Sequence, residues 1–296
     1  MFERTTLFYQ QVTILDYAYL DKQLGPMGNS LFVDAFIEGP LDFQGMIMDF
    51  GKVKPTIKRI IDEYFDHRLI LTNEQSQNFN GTEVFFEWKN DQGINKFLKY
   101  KAPEECFYSS GVDELDCAGL EKSLSLLVNT FLERPTLTVT IKVRSEFTEV
   151  SNVPFFYYTH GLKHHEGNCQ RLLHGHGNTI KVKINNILRN DIAFKLVSKL
   201  TNSLGSTHFI YEKNIKQYSS DSITVQYQST QGMFQLEMSP DYVLIIPCET
   251  TIEQLSQYFC QVVVKEFAEV GDIVEVAAFE GIAKGAITVQ KNSPLS

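Results

Sequence analysis

No stretch of the 296 residues approaches the run of about 18 consecutive apolar positions that a helical membrane span needs. The opening MFERTTLFYQQ lacks a positively charged start followed by an apolar run, so no secretory leader is expected and the chain reads as cytoplasmic. Cysteine is sparse. Cys106, Cys117, Cys169, Cys248 and Cys260 form an odd set of 5 without a CxxC pair, which fits reduced thiols better than a disulfide framework. Positive charge is in deficit as well: 27 Lys and Arg against 36 Asp and Glu leave a net charge of -9. That balance argues against a surface built for nucleic acid or for an anionic membrane, both of which need clustered cations. A small anionic metabolite needs only a few local positive groups and is not excluded.

With 43% hydrophobic and 21% charged residues the chain has ample material for packed cores, and its length suggests two domains. A repeat supports that division. GNSLFVDAFIEG from Gly28 and GNTIKVKINNI from Gly177 alternate apolar and polar residues as half-buried strands do. Each is followed by an amphipathic helical run, from Asp49 to Ile70 and from Asn190 to Ile210. A second helical run then follows, GLEKSLSLLVNTFL from Gly119 and TIEQLSQYFCQVVVKEF from Thr251, leading into strands that end at Glu146 and Glu280. The order strand, strand, helix, strand, strand, helix, strand thus occurs twice, as duplication would produce. Antiparallel sheets with one face covered by two helices would bury these periodic faces, an α+β class. The division is expected near residues 150 and 151, within TEVSNVP, giving units 1–150 and 151–296. The polar stretch from Asn73 to Gly93 reads as an inserted loop or hairpin.

Six of the 7 histidines lie between residues 160 and 208. In a strand, residues i and i+2 share a face, so His174 and His176 of HGH place two imidazoles side by side. A hairpin brings His160, at the end of the aromatic run FFYYTH, alongside them. Three imidazoles with a fourth position open is the arrangement of a catalytic zinc site, whereas structural zinc sites are closed and rich in cysteine. His164 and His165 read as loop residues. Cys169, in the turn-like EGNCQRLLHGH, would have a lowered pKa beside a cation and could serve as base or nucleophile. A fourth metal ligand or an inert small residue are its other readings. Asp66 and His67 adjoin at the end of a helical run, where a helix-terminal cap is the plain reading, since adjacent side chains need not meet.

FFYYTHGL, CQRLLHGHGN, GMIMDFGKVK, FDHRLIL, TTIEQL and VAAFEG together resemble the pyruvoyltetrahydropterin synthase family, which includes the 6-carboxytetrahydropterin synthases of the queuosine pathway. The resemblance spans nearly the whole chain as two partial copies. It implies two tandem tunnelling-fold modules, each an antiparallel four-stranded sheet with two helices, whose sheets assemble into barrels. It further implies that His160, His174 and His176 bind Zn2+ and that Cys169 transfers protons. Asp66 and His67 would be the Asp-His pair that works with the cysteine across a subunit boundary, and Glu280 the pterin anchor. The implied substrate is 7,8-dihydroneopterin triphosphate, converted to 6-carboxytetrahydropterin or, alternatively, to 6-pyruvoyltetrahydropterin with release of triphosphate. A non-catalytic pterin- or zinc-binding module is the alternative of another class. The implied assembly is a homo-oligomer of three two-module chains or a multiple, without nucleic-acid or membrane partners.

The copies depart from the pattern in complementary ways. Gly25 and Met27 stand where the second copy has His174 and His176, while Thr207 and His208 are read as standing where the first has Asp66 and His67. Gly281 follows Glu280 where the family usually has threonine. One composite site is expected, assembled from both copies. Elemental analysis should therefore find about one tightly bound zinc per chain; two equivalents would contradict the loss of ligands from the first copy.

Overall fold

The computed structural model describes residues 5–90, 92–146, 152–202 and 205–293. The expected division at 150 and 151 falls outside them. Apolar alternation builds the long hairpin β1 (Thr6–Asp21) and β2 (Gly25–Glu38), followed by α1 (Phe50–Tyr64), β3 (Leu69–Leu71) and α2 (Asn73–Ser76). Then come β4 (Glu83–Lys89), β5 (Asn95–Lys101), β6 (Phe107–Ser109), α3 (Cys117–Phe131) and β7 (Thr138–Arg144). The second half runs β8 (Phe155–His160), β9 (His174–Ile184), β10 (Ile187–Leu188), α4 (Asn190–Leu200) and β11 (Ser206–Tyr211). It continues with β12 (Ile215–Tyr218), β13 (Ile223–Ser229), β14 (Gly232–Met238), β15 (Val243–Ile246), α5 (Ile252–Phe267), β16 (Ile273–Phe279) and β17 (Gly285–Lys291). No helix among the described residues is long and apolar enough to cross a membrane.

The fold is α+β, and the strand order of one half recurs in the other. The first sheet is ordered β6-β3-β1-β2-β7 and the second β15-β11-β8-β9-β16-β17, with β10 paired to β9. In the second sheet β8, β9, β16 and β17 form the expected antiparallel four-stranded core, with α4 and α5 in the chain between its two hairpins. The first sheet departs from the expectation: among the described residues only β1, β2 and β7 pair antiparallel, with no counterpart of β17, so it lacks the four-stranded core. β3 and β6 in the first, and β11 and β15 in the second, add on as parallel strands. They arise because each first helix is shorter than its amphipathic run. α1 stops at Tyr64, with Phe65 as its C-cap, and the apolar Leu69–Leu71 pairs with β1 instead of extending the helix. α4 likewise ends at Leu200 and leaves Ser206–Tyr211 to pair with β8.

The polar stretch after Asn73 becomes α2 followed by the start of the β4–β5 hairpin. That hairpin has a counterpart. β12, β13 and β14 occupy the same place in the second half, and β14 pairs with β5 to join both insertions in a third sheet, β12-β13-β14-β5-β4. Three cores follow. One lies under α1 and α3, where Val53, Ile57, Ile60 and Ile61 meet Leu120, Leu124, Leu127 and Val128. A second lies under α4 and α5, and the third, shared between the halves, packs Trp88, Leu98 and Tyr100 with Phe234, Leu236 and Leu172.

Strand pairing makes the repeat alignment explicit. Asp21 lies opposite Gly25 as His160 lies opposite His174, and Tyr19 opposite Met27 as Tyr158 opposite His176. The first half therefore has Asp21, Gly25 and Met27 at the positions of the three second-half histidines. The same registers correct the alignment of the Asp-His pair. Leu69 pairs with Ala18 as Ser206 pairs with Tyr157, so Leu71 is the counterpart of His208, and Asp66 and His67 correspond to positions 203 and 204, outside the described residues. The shift arises in the loop between helix and strand, which differs in length between the copies. Glu146 is also out of step: Arg144 faces Phe32 as Ala277 faces Lys181, which sets Glu146 level with Phe279 rather than Glu280.

β2 crosses β8 and β9 at backbone contact. A Cβ on Gly28 would sit 2.1 Å from the Tyr158 carbonyl oxygen and 2.4 Å from the His176 nitrogen, and one on Gly175 would sit 2.5 Å from Gly28 Cα. Backbone cannot retreat as a flexible side chain can. Gly28→Ala should therefore lower the unfolding free energy by about 3 kcal/mol, measured by urea denaturation; a change within experimental error would show that the halves can separate at little cost.

Candidate metal centre

HGH opens β9, and its alternation turns His174 and His176 to the same side while His160 closes the neighbouring strand β8. All three are 0% exposed. One nitrogen from each ring lies within 4.8 Å of the others. The Nε2 atoms of His160, His174 and His176 are buried without a hydrogen-bond partner among the described residues. Such orphaned nitrogens are costly to bury unless something occupies the space between them.

The opposite ring nitrogens are engaged. His174 Nδ1 donates to the Arg171 carbonyl at 2.7 Å, and His160 Nδ1 lies 3.1 Å from both the carbonyl and the hydroxyl of Thr250. A proton held at Nδ1 leaves the Nε2 lone pair directed into the cluster, the tautomer a metal ligand requires. Burial, reinforced by the neighbouring imidazoles, drives His160 and His174 well below the ordinary histidine pKa and keeps them neutral. The donor set therefore fits a divalent zinc ion.

Asp66 and His67 come from the first half, directly after α1. His67 has a left-handed backbone, φ 56°, uncommon for a residue with a side chain. Its N–H donates to the Asp16 carbonyl at 2.7 Å, and the turn lets two adjacent side chains meet: His67 Nδ1 is hydrogen-bonded to Asp66 Oδ2. Asp66 Oδ1 accepts from the Asp16 N–H at 2.9 Å. Burial opposes protonation of His67, but the Asp66 carboxylate and Cys169 override it and raise its pKa well above the usual value.

The turn reaches the second half of the same chain. The His67 ring lies 5.3 Å from that of His174 and 6.0 Å from that of His176, centroid to centroid. Cys169, half-buried in the loop before β9, groups with His67 and His174 rather than with the three-imidazole cluster. Arg171 donates from Nη1 to the carbonyls of His67, at 3.2 Å, and Asp66, at 3.4 Å. Asp66, His67 and Cys169 thus lie together within one chain, an arrangement that the sequence alone left open between one chain and two. His164 and His165 lie in the loop between β8 and β9.

Glu280 follows β16 at a turn in which its N–H donates to the Lys284 carbonyl at 3.0 Å and the Gly281 N–H to Asn178 Oδ1 at 2.7 Å. Gly281 has φ 69°, and a Cβ there would lie 2.5 Å from Asp16 Oδ1. The departure from threonine has a local cause.

Asp16 escaped the sequence reading, and His208 entered it only in the repeat alignment. Asp16, 3% exposed on β1, has Oδ1 3.2 Å from His176 Nδ1, off the line of a well-formed hydrogen bond, and Oδ2 3.1 Å from Lys284 Nζ. Ser30 Oγ also donates to it. Burial alone would raise the Asp16 pKa, yet His176, Lys284 and His67 hold it well below the usual carboxylate range. The signal was a lone carboxylate amid the apolar run VTILDYAYL. His208 is fully buried with Nδ1 2.8 Å from Thr159 Oγ1, and burial pushes its pKa down to about 3. At the position in the first half equivalent to His160, Asp21 lines a carboxylate-rich cleft of about 740 Å³ with Glu74, Asp113, Glu114 and Asp116.

The sequence model of a family described as 6-pyruvoyl tetrahydropterin synthase matches residues 21–109, the stretch that contains Asp66 and His67. The 6-carboxy-5,6,7,8-tetrahydropterin synthase of Rickettsia felis is 37% identical over 60 residues, 18% of this chain and 44% of that one. That of Rickettsia typhi is 33% identical over 66 residues, 20% and 48% of the two chains. The chain spans less than half the length of these curated relatives. Among solved structures, a 6-pyruvoyltetrahydropterin synthase of Plasmodium vivax aligns with 48% of this chain and 99% of its own, at 14% identity and a TM-score of 0.35. A Plasmodium falciparum 6-pyruvoyl tetrahydropterin synthase covers 47% and 97% at 13% identity and a TM-score of 0.32. By these sequence matches residues 21–109 are similar to the 6-pyruvoyl and 6-carboxytetrahydropterin synthases.

Proposed function

We propose that the chain is a zinc-dependent lyase that converts 7,8-dihydroneopterin triphosphate to 6-carboxytetrahydropterin, built as two tandem modules, 1–150 and 151–296, that share one site. The observation that carries this reading is the convergence, within one chain, of three orphaned Nε2 atoms with Asp66, His67 and Cys169. His160, His174 and His176 would hold the zinc, which when bound supplies Lewis-acid polarisation of substrate side-chain oxygens. Cys169 moves a proton at the substrate side chain, with its thiol facing His67. Asp66 holds the His67 ring in place and favours its protonated form, so that the imidazole can take a proton from the thiol and return it. Glu280 anchors the pterin ring through its carboxylate. The name of the curated relatives supports the carboxy product over the pyruvoyl one.

We also propose that the chain forms a homo-oligomer of three chains or a multiple. β17 edges the second sheet and exposes Ile287 and Val289, and closing sheets into a barrel would cover such an edge. Light scattering should give a multiple of three chains, and an active monomer would refute the assembly.

Incubation of zinc-loaded protein with dihydroneopterin triphosphate, followed by mass spectrometry, should yield 6-carboxytetrahydropterin. The pyruvoyl compound would correct the product, and pterin binding without turnover would indicate a non-catalytic module. His174→Ala should lose metal and activity together. Cys169→Ala should keep its zinc while turnover falls by about 100-fold or more; loss of zinc in this variant would make the thiol a ligand. Mixing Asp66→Ala with Cys169→Ala chains should restore no activity after verified subunit exchange, because both residues serve the same chain's site. Recovery would place them in different chains.

A further inference from the structure

The three imidazoles differ in what orients them. His160 and His174 lean on carbonyl oxygens, of Thr250 and Arg171, from their own half of the chain. His176 instead faces Asp16 Oδ1, 3.2 Å from its Nδ1, a charged oxygen from the other half. A carboxylate behind a ligating imidazole holds the ring and increases its basicity toward the metal.

Asp16 is placed to do this with little freedom. Its side chain is 4% exposed and held by Ser30 Oγ and by Lys284 Nζ at 3.1 Å. Its main chain is pinned from both sides, the N–H donating to Asp66 Oδ1 and the carbonyl accepting from the His67 N–H. The side of Gly281 toward Asp16 is left open for the carboxylate, since a Cβ there would collide with Oδ1. A charged group buried to this degree is destabilising unless its partners answer it, so the position is exacting.

We propose that Asp16 is a positioning residue for the metal centre, through which the first half, having lost its own histidines, sets the metal affinity of the second. It acts on His176 by orienting the ring and by placing a negative charge behind it. This inference rests on the reading of His160, His174 and His176 as metal ligands.

The test measures zinc dissociation constants by competition with a chromophoric chelator for the wild-type chain, Asp16→Ala and Asp16→Asn, together with thermal unfolding of the metal-free proteins. Asp16→Ala should bind zinc about 10- to 100-fold more weakly. Asp16→Asn, which retains an oxygen acceptor of the same shape without the charge, should fall between that variant and the wild type, with the metal-free protein still melting cooperatively. It carries the test alone if the alanine variant does not fold. Cobalt-loaded Asp16→Asn should show a displaced visible band at tetrahedral intensity, a change that a merely structural role would not produce. Zinc affinities of both variants within twofold of the wild type would overturn the proposal while leaving the metal site standing. A wild-type chain that binds no zinc would overturn both.

Discussion

The contact of Gly28 with Gly175 and the Tyr158 carbonyl sets the separation of the two sheets, and the polar groups of the centre depend on it. Sheets separated by ordinary side chains lie about 10 Å apart. Here β2 touches β8 and β9 directly, so side chains on β1 reach the imidazoles of β9. Asp16 could not approach His176, nor His67 approach His174, across a normal intersheet layer. The shared third sheet and the core around Trp88 and Leu236 hold the same arrangement from the other side.

That closeness makes demands of its own. Three imidazoles, a carboxylate and an Asp-His pair are buried together, and each group without a partner would be destabilising by about 1–3 kcal/mol. The structure answers most of them with named partners: Arg171 and Thr250 for the outer nitrogens of two histidines, and Ser30 and Lys284 for Asp16. The inward Nε2 atoms, and His176 Nδ1, are the exceptions. A binding site differs from a core in leaving such atoms free for a ligand. The left-handed turn at His67 is a second local cost, offset by hydrogen bonds to Asp16 and Arg171.

Duplication allows this division of labour. In the first half the equivalents of the three histidines are Asp21, Gly25 and Met27, and Trp88 packs where a Cβ on Gly25 would stand. That half contributes Asp66, His67 and Asp16 instead. These contacts between the two halves lie within one chain.

By itself the sequence determined the periodic elements, their repetition and the three histidines, because strand alternation and the HGH spacing are local properties. Helix ends were less legible: Leu69–Leu71 continues the apolar pattern of α1, and only pairing with β1 makes it a strand. The correspondence of His208 with Leu71 also needed the pairing register, since an insertion in a loop leaves no mark on periodicity. That Asp66 and His67 lie beside Cys169 of their own chain, and that Asp16 stands behind His176, were decided by tertiary structure alone. Those contacts join residues more than a hundred positions apart, and the distance between them is governed by glycine-to-backbone packing that no spacing rule encodes.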